Sequence, residues 1–226
     1  MGHMTTGEQQ IRSLLGRMPG RDRTVVLIRH SKRPSLAAVP YDRRPEVELT
    51  PEGITMAREF GNSLYDLIGD RRIYLLHTAA KRCQMTARAL EEGLSSRGPA
   101  LTMIRSDPEI RDPIVDLEKF RDVRESFGWQ GMIKNWLGRR IDPGILEDPE
   151  TYAGMIVKLL LDCDYLDSGD VLITVAHDIT LFPLIHSYFG RCLTTIGYMN
   201  GIVMRSDGDR TEIGFEEEIV SLSSVR

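Results

Sequence analysis

Three apolar runs in this chain end in a histidine. Val25-Val26-Leu27-Ile28 runs into Arg29 and His30, with Lys32 and Arg33 just beyond; Tyr74-Leu75-Leu76 runs into His77 and Thr78; Leu172 to Ala176 runs into His177 and Asp178. A buried strand ordinarily ends in Gly, Pro, Asn or Asp, which turn the backbone cheaply. Cations packed around an imidazole are costly unless an anion belongs there. Guanidinium charges disfavour imidazolium and so hold His30 neutral near pH 7, with a lone pair free. The same guanidiniums suit the equatorial oxygens of a transferring phosphoryl group, over which transition-state charge is spread. A neutral imidazole in an arginine cage can attack phosphorus in line and form a phosphohistidine. That is nucleophilic catalysis needing no metal and no other cofactor.

The elements that must position these residues alternate. Residues 72–76, 101–105 and 171–176 read as strands beside the run at 24–29, and helices are predicted from Thr50 to Gly69, over 79–94, over 151–163 and over 179–190. Thr50 is a good N-cap, with Pro51 at the first helical position and Glu52 at the favourable end of the dipole. Strands alternating with helices predict an α/β fold of three layers, a mostly parallel central sheet with helices on both faces. Ligands of such sheets sit beyond the carboxyl ends of the strands, where the three histidines converge. GIVMRS and RTEIGF read as a closing hairpin around DGD. From about 106 to 149 no long periodic element is legible, and this stretch, with Phe120, Phe127, Trp129 and Trp136, is expected to be a small cap insertion over the site. Trp129 and Trp136 either contact a substrate or pack the insertion. Residues 1–23 are set apart as a tag remnant (MGHM) and an N-terminal helical extension, leaving 24–226 as a single domain.

Composition limits the partners. The chain of 226 residues is 41% hydrophobic and 27% charged, with a formal net charge of −4. These are values of an ordinary globular domain, and the net charge argues against nucleic acid or an anionic membrane as a partner. Cationic character, where it matters, must be local. Cys83, Cys163 and Cys192 are too few and too odd for a disulfide framework. There is no signal-peptide h-region, and no window approaches the roughly 18 apolar residues that a membrane span needs. A cytoplasmic location is expected.

Taken together, LIRHSKRP, LTPEGITMA, KRCQMTA and VAHDITL resemble the motifs of the histidine phosphatase superfamily, which includes phosphoglycerate mutases, acid phosphatases and phytases. The likeness runs in the family's order from about Thr24 to about Gly190. It implies that His30 is the nucleophile and that Arg29, Arg33, Arg82 and His177 bind phosphate. The family's usual Arg-His-Gly has Ser31 in place of glycine here, and Pro34 follows Arg33 directly instead of lying two residues beyond it. His77 and Thr78 stand where the family often has a small serine; His77 either lines the pocket, as Ser31 would, or caps its strand.

The resemblance offers two proton donors. Asp178 follows His177 at the start of a helix, as in the acid-phosphatase branch; Asp112, in EIRDP, stands roughly where the mutase-like branch carries its acid. AHD matches residue for residue and IRD only loosely, so Asp178 is the expected general acid and Asp112 the alternative. The function implied is metal-independent hydrolysis of a small phosphomonoester through a phosphohistidine. The alternatives are a phosphoglycerate-mutase-type phosphotransferase, a metal-dependent phosphohydrolase with an His-Asp pair, and a phospholigand-binding module without catalysis. Lys32, Arg43 and Arg44 either favour a multiply charged substrate or form an exposed basic loop. Oligomeric state is not legible in the sequence.

Overall fold

The computed structural model describes residues 6–18, 22–96, 101–207 and 210–222. Its strands are β1 (Arg23–Arg29), β2 (Ile73–His77), β3 (Leu101–Ser106), β4 (Val171–Ala176), β5 (Gly201–Ser206), β6 (Thr211–Phe215) and β7 (Glu218–Leu222). Its helices are α1 (Thr6–Arg17), α2 (Pro51–Ile68), α3 (Lys81–Ser95), α4 (Leu117–Leu137), α5 (Pro149–Leu161) and α6 (Asp178–Phe189), with a 3-10 helix at Tyr41–Glu46. All seven strands form one sheet in the order β3-β2-β4-β1-β5-β6-β7.

The α/β architecture with helices on both faces is as the alternation of elements predicts, but the sheet is mixed. β3, β2, β4 and β1 are mutually parallel, whereas β5, β6 and β7 join β1 as antiparallel neighbours. The connections explain the second half. Only a few residues separate β5 from β6 and β6 from β7, too few for the crossover that a parallel pairing requires. Strand β7 escapes sequence reading because it is an edge strand with no buried residue and hence no apolar run. Part of the DGD turn lies outside the described residues, as does the Pro19-Gly20 end of the N-terminal extension.

Continuous apolar strands bury both faces, one residue to each side in alternation. Val26 and Ile28 of β1 point into a cluster with Ile11 and Leu14 of α1, Phe60 and Leu64 of α2 and Leu90 of α3. Val25 and Leu27 point the other way, toward Met132 and Trp136 of α4, Tyr152 and Ile156 of α5 and Phe182 of α6. No helix among the described residues is long and apolar enough to cross a membrane.

The expectation of no long element between 106 and 149 fails. Helix α4 runs for 21 residues, started by Asp116, whose side chain accepts from Glu118 N and Lys119 N. It is kinked at Gly128, whose φ of 64° and ψ of 170° belong to a region open essentially to glycine alone. The break hides the periodicity. Upstream of it the helix buries only Phe120, while downstream it buries Met132, Ile133, Trp136 and Leu137.

The loop after β1 is docked on the start of α2. Thr50 N and Gly53 N bond to Lys32 O and Thr50 Oγ1, both at 3.0 Å, and Ser31 Oγ donates to Gly53 O at 2.7 Å. A Cβ on Gly53 would lie 2.1 Å from Lys32 O, which is backbone and cannot yield without moving the loop. Gly53→Ala is therefore expected to cost about 1–3 kcal/mol, as overpacking does. Urea denaturation measures it; an unchanged midpoint would show that the loop shifts freely and does not position Arg33.

Candidate active site

Register brings the strand ends together. β1 and β4 are adjacent, with Arg29 opposite Ala176, and His30 N bonds to Ala176 O at 3.0 Å. β2 flanks β4 on its other side, and Thr78 N bonds to Val175 O at 3.2 Å. A cavity of about 690 Å³ opens above these ends, and Arg29, His30, Arg33, Arg82, Asp112, His177 and Asp178 line it.

His30 is buried, and its Nδ1 lies 2.8 Å from the carbonyl of Ser31. A carbonyl only accepts, so Nδ1 carries the hydrogen and the lone pair resides on Nε2. Burial, then His177, Arg82 and Arg29, hold the His30 pKa well below its ordinary value. The imidazole is thus neutral, with one tautomer selected.

Arg29 is held by Ile196 O, to which it donates, by stacking 4.5 Å above the ring of Tyr198, and by Asp178 at 3.3 Å. Arg82 donates to Arg44 O at 2.8 Å and to His177 Nδ1 at 3.2 Å. Arg33 donates to Pro34 O at 2.8 Å. In all three, Nε is buried and has no hydrogen-bond partner among the described residues. Each of the three also lines the cavity, so three guanidinium groups converge on one space and suit an anion with several acceptor oxygens.

His177 is engaged through both nitrogens. Arg82 donates to Nδ1, so Nε2 carries the hydrogen and gives it to Thr78 Oγ1 at 3.1 Å. Burial, then Arg82, Arg29 and Arg33, lower its pKa well below the ordinary value. Its ring stands edge-on to that of His30, with centroids 5.6 Å apart.

The two acidic candidates sit differently. Asp178 is the first residue of α6; its Oδ1 accepts from Ile179 N at 2.9 Å, and its Oδ2 faces Arg29. Asp112 lies on the loop after β3, which is pinned where Tyr152 donates to Arg111 O and Glu147 N donates to Pro113 O. The residue is half-buried, but its Oδ1 is enclosed and has no partner among the described residues. Burial pushes its pKa up to about 6, with Asp178 adding to the rise and Arg82 opposing it.

Ser31 and His77 do not line the cavity. Ser31 is buried between Thr86 Oγ1 and Gly53 O, and His77 Nδ1 bonds to Thr78 O at 2.9 Å at the end of β2. Tyr41, Thr194 and Thr195 do line it, and Tyr198 buttresses Arg29 against the floor; none carries a local signal that a single sequence would show. Of the basic loop residues, Lys32 pairs with Glu52 and Arg43 with Glu46, while Arg44 turns into the cavity.

The family model described as histidine phosphatase superfamily, branch 1, matches residues 25–213. The chain belongs to the histidine phosphatase superfamily. Among solved structures, YhfR from Bacillus stearothermophilus is similar at 19% identity and a TM-score of 0.57, covering 88% of this chain and 98% of that one. The mycobacterial glucosyl-3-phosphoglycerate phosphatase is similar at 17% identity and a TM-score of 0.53, covering 89% and 97%. SixA from Agrobacterium tumefaciens is similar at 15% identity and 0.51, covering 89% and 99%. At these identities the likeness speaks for the fold. No curated protein gives a significant sequence match. This α/β superfamily membership sets aside the metal-dependent reading, whose fold is all-helical.

Proposed function

We propose that this histidine phosphatase superfamily member is a metal-independent phosphomonoester hydrolase, with His30 as nucleophile and Asp112 as general acid. The observation that carries the reading is a neutral imidazole, with its lone pair on Nε2, lining one cavity together with the side chains of Arg29, Arg33 and Arg82. The arginines hold the phosphoryl oxygens and take up their charge. His30 Nε2 attacks phosphorus, the P–O bond to the leaving group breaks, and Asp112 gives its proton to the departing oxygen. Water then attacks the phosphohistidine as Asp112 takes its proton, the P–N bond breaks with its electron pair returning to His30 Nε2, and orthophosphate leaves. His177 fixes Arg82 and supports it against the floor.

Asp112 replaces Asp178 in this role on physical grounds. An acid must be protonated until the bond breaks. Asp112 is enclosed and raised to about 6, and a bound phosphate dianion would raise it further. Asp178 is engaged through both oxygens, Oδ1 by Ile179 N and Oδ2 by Arg29. It serves to orient Arg29.

Turnover of p-nitrophenyl phosphate is expected to persist in excess EDTA and to be blocked by vanadate, which adopts the five-coordinate geometry of the transition state. Loss of turnover on chelation, restored by a divalent cation, would sink the proposal.

A further inference from the structure

Above the phosphate floor the cavity carries a second set of guanidinium groups. Arg44 and Arg124 line it, and Arg121 stands beside them. The guanidinium carbon of Arg44 lies 4.8 Å, and that of Arg121 5.0 Å, from the ring centre of Tyr41, and that of Arg124 lies 5.2 Å from that of Trp129. Their neighbours Lys32, Arg43, Arg111 and Lys119 are each matched by a carboxylate, but these three form no ion pair among the described residues. Asp112 is not within ion-pair distance of them either. Burial, then Arg124 and Arg121, lower the pKa of Arg44, so the like charges are close enough to oppose one another.

Three uncompensated cations against aromatic walls, in a chain of net charge −4, focus positive potential at the cavity. Part of the cavity wall is apolar: Leu36, Ile110, Ile114, Phe120 and Ile179 also line it. A volume of about 690 Å³ is that of a site for a whole small molecule, far larger than a phosphate group alone.

Building on the phosphatase reading, we propose that Arg44 and Arg124 form a second anion subsite. The substrate then carries its phosphomonoester at one end of a partly apolar body and another anionic group, a carboxylate or a phosphate, at the other. Tyr41 and Trp129 hold the two guanidiniums in place and flank the body of the molecule. The competing account is a brace: stacking that merely ties the 3-10 helix to α4. A brace predicts lost stability on substitution with no change in ligand preference.

The test uses ligands that the enzyme cannot hydrolyse. Alkylphosphonates of two to eight carbons are titrated calorimetrically into the wild-type protein, each ending in a carboxylate, a primary amide, a second phosphonate or a methyl group. At the chain length that spans the cavity, the carboxylate or the second phosphonate should bind about ten- to a hundredfold more tightly than the amide, the worth of one charge-assisted hydrogen bond. Whichever anion wins names the group. Arg44→Gln and Arg124→Gln should each collapse that ratio toward one, with the folded state verified by thermal unfolding. Equal binding of all four end groups, or a ratio that survives both substitutions, overturns the second subsite and leaves the phosphate floor standing. If even the methyl-ended phosphonates fail to bind, the floor itself is misread and the inference falls with it.

Discussion

His30→Ala is expected to lower turnover to less than about a thousandth of wild type, as loss of a nucleophile does in enzymes that form a covalent intermediate. No other group can take its place. His177, 5.6 Å away between ring centres, has both nitrogens engaged, by Arg82 and by Thr78. The fold should survive, because the backbone of residue 30 keeps its bond to Ala176 O and the side chain adds only one short-range bond, to its own neighbour. A brief reaction of the wild type with radiolabelled substrate, quenched in base, should trap one phosphoryl group per chain, stable to alkali and lost in acid, as a phosphoramidate is. Label that persists in His30→Ala, or more than a tenth of the wild-type rate, refutes the phosphohistidine.

The second large effect is selective. Asp112→Asn should slow hydrolysis of an alkyl phosphate by about 10²–10⁴, the usual worth of general acid catalysis, and that of p-nitrophenyl phosphate far less, because nitrophenolate departs without a proton. The wild-type pH profile follows the same logic. Asp112 with a pKa of about 6 is the acid below that value and a carboxylate above it, so kcat/KM for the alkyl ester should fall as pH rises through about 6. Substrate phosphate ionises in the same range, so the informative quantity is the ratio of alkyl to nitrophenyl rates, in which that ionisation cancels. The folded pKa lies above the ordinary carboxylate value, so the native state binds the extra proton and stability declines between pH 4 and 6. Asp112→Asn mimics the protonated form and should therefore raise stability near pH 7.5, by on the order of 1–3 kcal/mol. A variant that is more stable and selectively inactive marks a catalytic acid. If only Asp178→Asn shows the selective loss, the assignment reverts to Asp178.

The floor of the site was legible because strong local signals coincide there. β1, β2 and β4 are unbroken apolar runs, and charged or titratable residues follow each at once, so a parallel arrangement alone brings His30, Thr78 and His177 together. Arg82 was readable from its motif on α3. The proton donor proposed here was not, because what distinguishes Asp112 from Asp178 is enclosure, and the loop that encloses it is held by Tyr152 reaching Arg111 from a helix about forty residues on. Motif likeness favoured the aspartate that the fold places against an arginine. Arg44 was one cation among three in its loop until Glu52 and Glu46 claimed the other two. In the antiparallel half of the sheet, β5 and β6 were legible as a hairpin, whereas β7 is an exposed edge strand whose place is set by a short connection.

The break at Gly128 separates two kinds of heritable change. Downstream of it, helix α4 is rooted in the same core that carries β1 and β4, so substitutions there disturb the strands that carry His30 and His177. Upstream, the helix meets that core through fewer residues, chiefly Phe120 with Val123 packed beside it, and carries Arg121 and Arg124 next to the cavity. On the proposed reading, lineages could exchange one substrate for another by altering a few exposed turns, while the apparatus that makes and breaks the phosphohistidine stays as it is.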